Sequence, residues 1–205
     1  REELLKNKAD LAVHSWKDLP VELQEGTEIV TTLKREDPRD LLIFKKGSIE
    51  KKNIKIFTSS PRRKENLSNF LPEFLSWKPK KVNFIDVRGN IQTRISKLFH
   101  SKEDGLVIAL AAMKRLLSSS QFIEEEIHLL NFLQDSKWMI LPLSENPAAP
   151  AQGALAVEIA SNNHELKDLM YKIGDEKTFN LVNKEREILK KYGGGCHQKI
   201  GVTIL

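Results

Sequence analysis

A single cysteine, Cys196, among 205 residues excludes an internal disulfide. The five histidines are scattered, and neither Cys-x-x-Cys nor His-x-x-x-His spacing occurs, so no metal site is expected. No run of eighteen apolar residues appears, which removes a membrane-spanning helix. The opening Arg1-Glu2-Glu3-Leu4-Leu5-Lys6 has no signal-peptide core, so the expected location is the cytoplasm or an organelle interior. Aromatic residues make up only 7%, and they are not interleaved with the basic residues as a nucleic-acid surface requires. Neither a coiled-coil repeat nor an evident apolar partner face is present, and a monomer without nucleic-acid or membrane partners is expected.

What is present is a hydrophobic share of 40%, sufficient for a real core, and an uneven positive charge. Residues 1–100 hold 21 Lys+Arg against 14 Asp+Glu, whereas residues 101–205 hold 12 against 14. Such a field favours anionic partners, nucleic acid or small acids. Many lysines, such as Lys51-Lys52 and Lys80-Lys81, read as ordinary solvated loop charge.

The basic groups of interest stand where apolar runs break. Leu11-Ala12-Val13 reads as a buried strand that gives way to His14, Ser15, Lys17 and Asp18 before Pro20 stops the ladder. Ile56-Phe57 leads into Thr58-Ser59-Ser60-Pro61-Arg62-Arg63, with Ser60 suited to an N-cap and Pro61 to the first helical position. Arg62 and Arg63 then oppose the helix dipole, a conflict that an anionic ligand would resolve. The run 82–87 leads into Arg88-Gly89-Asn90, with Asn90 as N-cap, Arg94 just inside, and Ile91, Ile95 and Leu98 on one buried face. The run 105–110 leads into a helix carrying Lys114 and Arg115. Strand alternating with helix predicts an α/β protein with a doubly wound, mainly parallel sheet, in which these four strand ends converge on one cleft. A surface ion pair is the ordinary explanation of any one of these arginines; four clusters at equivalent topological positions favour an anion site.

Elsewhere, residues 1–8 read as the end of a helix, so that something precedes them. Strands are expected over 28–33, 41–44, 53–57 and 154–159, and one amphipathic helix over 122–132. Helices follow over 164–173 and 176–192, the second capped by Asp175 and burying Phe179, Val182 and Leu189. Cys196 follows three glycines and precedes an alternating stretch read as a strand; among glycines and close to His197 and Lys199, its thiolate forms more easily than in a core, which marks a reactive thiol.

Five segments in order resemble the porphobilinogen deaminase, or hydroxymethylbilane synthase, family: 12–20, 35–40, 58–63, 87–94 and 194–196. The resemblance implies two lobes like those of periplasmic binding proteins and a small α+β domain, with 1–37 and 152–173 in lobe 1, 38–151 in lobe 2, and 174–205 opening the third. It implies a transferase that joins four porphobilinogen molecules head to tail with loss of ammonia, on a dipyrromethane cofactor tethered to Cys196 as a thioether. Asp18 matches the catalytic carboxylate. Arg62, Arg63, Arg88, Arg94 and Arg115 match the set that binds cofactor and substrate carboxylates, and Ser15, Lys17, Thr58 and Ser60 match further contacts. Departures are the missing Gly-Thr-Arg-x-Ser-like segment that usually comes first, a C-terminal end short of the family's, Phe57 for Gly, Pro61 for Leu, Ala151 in a Gly-Gln-Gly turn, and an apparent insertion over 144–150. The rival reading is a non-catalytic two-lobed binder of a small polycarboxylate, which needs the arginines but neither Asp18 nor Cys196.

Overall fold

Strand and helix alternate along most of the chain in the computed structural model, which describes residues 1–193 and 199–204. In order the elements are α1 (Glu2–Leu5), β1 (Leu11–Ser15), a 3-10 turn (Trp16–Asp18), β2 (Thr27–Thr32), β3 (Asp40–Phe44), β4 (Asn53–Phe57), α2 (Pro61–Phe74), β5 (Lys81–Ile85) and α3 (Ile91–His100). There follow β6 (Gly105–Ala109), α4 (Leu110–Leu117), α5 (Ser120–Glu125), α6 (Ile127–Asp135), β7 (Lys137–Ile140), β8 (Leu155–Ala160), α7 (His164–Ile173) and α8 (Glu176–Lys191). They form two units, Arg1–Pro38 with Ala148–Leu205, and Arg39–Pro147.

The second unit is a five-stranded sheet in the order β5-β4-β6-β3-β7. Its β5-β4-β6 portion is parallel, while β3, the strand on which the chain enters the unit, runs antiparallel between β6 and β7. Because β3 is buried on both faces, its alternate residues feed two apolar layers. Leu41 and Ile43 join Leu106, Ile108 and the helices α3 to α6, whereas Leu42 and Phe44 join Ile54, Ile56 and Leu67 and Leu71 of α2. Helices therefore cover both faces, the doubly wound arrangement that the alternation predicts.

The first unit has a three-stranded sheet, β1-β8-β2, in which β8 is antiparallel to both neighbours. Here too the strand on which the chain enters opposes the others, so the parallel pairing expected from sequence is confined to β5-β4-β6. On one face Val30, Val157 and Ile159 pack with Met170 of α7; on the other Trp16, Ala156 and Ile29 meet Phe179 and Val182 of α8.

Several local expectations need correction. β1 is an edge strand in the described sheet, not a buried one: Val13 is 57% exposed and Leu11 37%, since α7 packs on Val30, Val157 and Ile159 of the other two strands and not on β1. The helix expected over 122–132 is two helices broken at Glu126, which lets Phe122 and, from the next helix, Leu129 and Leu133 reach the same core. β7 was missed because its four residues sit at a sheet edge with Trp138 and Ile140 exposed, too short a pattern to read. Residues 199–204 form no strand, although the Val202 N–H donates to the Ala148 carbonyl. The breaks fall after Pro38 and Pro147 rather than after 37 and 151, and α8, read as the start of another domain, packs into the first unit through Phe179 and Val182.

Candidate functional site

In the second unit the sequence-predicted residues gather at the carboxyl edge of the parallel strands. The Thr58 N–H donates to the Ile85 carbonyl, and Ser59 is bonded both ways with Val87, its Oγ donating to the Val87 carbonyl at 2.7 Å and accepting from the Val87 N–H at 2.8 Å. These bonds lock the loops that follow β4 and β5 side by side. Ser60 caps α2, its Oγ accepting from the Arg63 N–H, and Asn90 caps α3, its Oδ1 accepting from the Thr93 N–H at 2.8 Å. Gly89 has φ of +115°, and a Cβ there would lie 2.7 Å from Thr93 Cγ2, so this turn requires glycine. Arg94 Nε donates to the Gly89 carbonyl and Lys97 Nζ to the Arg88 carbonyl, which draws the guanidinium of Arg94 back over the turn while Arg88 stays exposed. Arg115 is exposed on α4, the helix after the third parallel strand.

Arg62 and Arg63 are different. They are 3% and 6% exposed and converge on Asp40, the first residue of β3, itself fully buried. Asp40 Oδ1 accepts from Arg63 Nη2 at 2.6 Å; Oδ2 accepts from Arg62 Nη2 at 2.8 Å, Arg63 Nε at 3.0 Å and Asn146 Nδ2 at 2.9 Å. Arg63 Nη1 reaches the Val107 carbonyl, and Arg62 Nη1 the Pro147 carbonyl. Burial alone pushes the Asp40 carboxyl up, but the Arg63 and Arg62 charges beside it hold it far below the usual carboxylate range. The conflict with the helix dipole is thus answered inside the protein: the anion is Asp40. Sequence reasoning missed Asp40 and Asn146, although an acid heading an otherwise wholly apolar strand was the available signal.

In the first unit β1 delivers Ser15, Lys17 and Asp18 to the 3-10 turn, with Asp18 exposed and Trp16 buried beneath. The turn is anchored by the Trp16 N–H donating to the Ala154 carbonyl. His14 Nε2 lies 2.7 Å from Oε2 of Glu158 on β8, whose carboxylate also accepts from Thr27 Oγ1 at 2.6 Å and Arg1 Nε at 3.0 Å. Burial pushes the Glu158 carboxyl up, and the Thr27 and Arg1 hydrogen bonds more than offset it, leaving it below its ordinary value. Lys17 Nζ donates to Gln152 Oε1 at 3.2 Å, and Gln152 Nε2 to the Pro38 carbonyl at 2.6 Å. Arg35 forms a bidentate pair with Glu185 of α8, which also accepts from the Ala151 and Ile204 N–H groups. Gln152, Glu185 and Glu158 were not predicted as site residues; a charged pair, Glu185-Arg186, within the apolar stripe of α8 was a legible sign. Cys196 lies outside the described residues.

Thr58, Ser60, Arg62, Arg63, Arg88 and Arg94 thus follow the carboxyl ends of β4 and β5, Arg115 lies further along in the last turn of α4, and β1 leads to Ser15, Lys17 and Asp18 at one turn of the first unit. The second unit is a doubly wound α/β unit whose parallel strands lead at their carboxyl ends into arginine-bearing helix starts. A family model described as "Porphobilinogen deaminase, dipyromethane cofactor binding domain" matches residues 1–168. The chain is 38% identical over 202 residues to the porphobilinogen deaminase of Caldicellulosiruptor saccharolyticus, covering 97% of this chain and 61% of that protein. It is 36% identical to that of Clostridioides difficile, covering 96% and 59%, and 37% identical to that of Desulfitobacterium hafniense, covering 97% and 58%. This chain belongs to the porphobilinogen deaminase family. It spans about 60% of the length of these relatives. Among solved structures, an ABC transporter protein of Parabacteroides distasonis is similar at 11% identity and a TM-score of 0.48, covering 94% of this chain and 64% of that one.

Proposed function

We propose that the protein polymerises four porphobilinogen molecules into hydroxymethylbilane, releasing one ammonia per condensation, within tetrapyrrole biosynthesis. Family membership carries the reading, together with the retention of Asp18 in an exposed, anchored turn. As ammonia leaves the aminomethyl group, positive charge develops on the pyrrole nitrogen. A carboxylate facing that N–H stabilises it, and we assign this role to Asp18. The same carboxylate can take up or return the proton displaced as the new carbon–carbon bond forms. Each porphobilinogen brings an acetate and a propionate, so the lengthening product calls for planar, bidentate donors. Arg88, Arg94 and Arg115 are assigned to it, with Lys17 and Ser15 as contacts beside Asp18.

A dipyrromethane cofactor bears the same carboxylates, and the residue types fit it: Arg88 precedes α3 and Arg94 lies just inside it, with Thr58 and Ser60 at the neighbouring helix start. When bound through Cys196, the group supplies the primer to which the first substrate is joined. Arg62 and Arg63 hold their helix start against Asp40, and we assign them to shaping the cofactor side of the site. The protein is taken to act as a cytoplasmic monomer.

The test is intact mass after expression in cells that make porphobilinogen. The expected result is a dipyrromethane-sized increment that Cys196→Ser abolishes, and Asp18→Asn should cut bilane formation to a small but measurable residual rate. A bare polypeptide mass in the parent protein, with binding of polycarboxylates retained, would instead establish the two-lobed binder.

A further inference from the structure

We infer that Arg186 is a positioning residue for the turn that carries Asp18, an inference that rests on the catalytic reading of Asp18 above. Arg186 sits on the inner face of α8 and is 8% exposed. Its Nη1 donates to the Trp16 carbonyl at 3.1 Å and the Leu19 carbonyl at 3.3 Å, and its Nη2 to the Pro20 carbonyl at 2.5 Å. These three acceptors bracket Lys17 and Asp18 in the chain. Two turns earlier on the same helix, Phe179 packs its ring on Trp16 with centroids 5.4 Å apart. One helix therefore grips the turn from beneath twice, by an apolar contact at its start and by a charged fork across its whole length.

The grip adds to the Trp16 N–H bond to the Ala154 carbonyl and the Lys17 bond to Gln152, and among the described side-chain bonds of α8 it alone spans the turn from Trp16 to Pro20. β1 is the edge strand of the described sheet, and Pro20 ends the ladder without an N–H of its own. The Leu19 N–H donates to the Trp16 carbonyl, so that carbonyl serves both the turn and Arg186. Asp18 itself is exposed, and its direction is set by the backbone to which it is attached. A guanidinium can serve carbonyls in two directions from one rigid plane. An ammonium at the end of a flexible stem cannot reproduce that spacing. Displacements of about 1 Å in reacting groups cost roughly a hundredfold in rate, so a loosened turn should be felt in turnover before it is felt in substrate binding.

The experiment compares Arg186→Lys and Arg186→Met with the parent protein by hydrogen exchange of the amides over 16–19 and by steady-state consumption of porphobilinogen. Expected in both variants is at least tenfold faster exchange in that turn, with exchange in β8 and in the second unit unchanged. Turnover should fall by at least tenfold while KM moves less than threefold. In the Asp18→Asn background, Arg186→Lys should cost nothing further, because a misplaced carboxylate and an absent one are equivalent. Unchanged exchange over 16–19, or losses that multiply in the double variant, would overturn the proposal. So would failure of both variants to fold, which would make Arg186 a general core residue. If Asp18→Asn alone leaves bilane formation intact, the catalytic reading falls, and the exchange comparison still decides whether Arg186 positions the turn.

Discussion

Replacing Asp40 by Asn isolates the buried charge cluster of the second unit. The change preserves shape and removes one negative charge from between two guanidiniums that are 3% and 6% exposed. Neither amide orientation rescues it. With the amide nitrogen in place of Oδ1, an NH2 faces Arg63 Nη2; in place of Oδ2, it faces Arg62 Nη2, Arg63 Nε and Asn146 Nδ2, all donors. Removing one partner of a buried ion pair costs about 3–5 kcal/mol, a large share of a net stability of about 5–15 kcal/mol. With an m value of about 2 kcal/mol/M, the urea midpoint should fall by about 1.5–2.5 M. Trp77 and Trp138 both lie in the second unit and report its unfolding by fluorescence. The pH dependence has a definite sign. The native carboxyl titrates far below the unfolded one, so its contribution is complete above the unfolded value of about 3.9 and is lost as pH falls below it toward the native value. The difference between parent and variant should thus be constant from pH 7 to 5 and shrink below pH 4. A midpoint shift below about 0.3 M for Asp40→Asn, or a difference that grows on acidification, would refute the reasoning.

Three further outcomes are expected. Gly153 has φ of +89°, and an added Cβ would lie 2.4 Å from the Glu36 carbonyl oxygen, so Gly153→Ala should destabilise the first unit by more than about 1 kcal/mol, read as a lower thermal midpoint. Arg94→Lys keeps the charge but loses the planar fork; it should raise the KM for porphobilinogen or stall the product at an intermediate length visible by mass spectrometry, without a change in melting temperature. Gln152→Leu removes the link between Lys17 and the Pro38 carbonyl and should leave a buried acceptor unpaired, costing about 1–3 kcal/mol by denaturant titration; a neutral result would show that another donor replaces it.

Much of the local structure was legible because it is written in short-range chemistry. Ser60, Asn90 and Asp175 cap their helices as their side-chain oxygens predict, and β4 and α7 occupy the residues that their patterns mark. Pairing direction was less legible. Apolar runs such as 41–44 and 154–159 say that a strand is buried but not whether its neighbour runs with it, and both turned out antiparallel to the strands beside them. The run 11–13 is ambiguous for a related reason: three apolar residues in a row mark a strand but not whether a helix covers both its faces, and α7 packs on the other two strands and leaves Leu11 and Val13 exposed.

The arginines divide along the same line between local and long-range information. A guanidinium near a helix N-terminus signals an anion, but sequence does not say whether that anion is a ligand or a residue far along the chain. For Arg62 and Arg63 it is Asp40, and the signal lay at the acid, heading a strand with no exposed residue where only a paired carboxylate can stand. For Arg186 the acceptors are three main-chain carbonyls 166 to 170 positions away, to which no residue type points. The groups that meet substrate in our proposal, Asp18, Arg88 and Arg94, are accordingly those with the clearest sequence signatures, because each stands at a strand end or helix start that the local pattern marks. The groups that hold them in place, Asp40, Gln152, Glu185 and Arg186, spend their hydrogen bonds on the protein itself and become visible only when the fold brings their partners together.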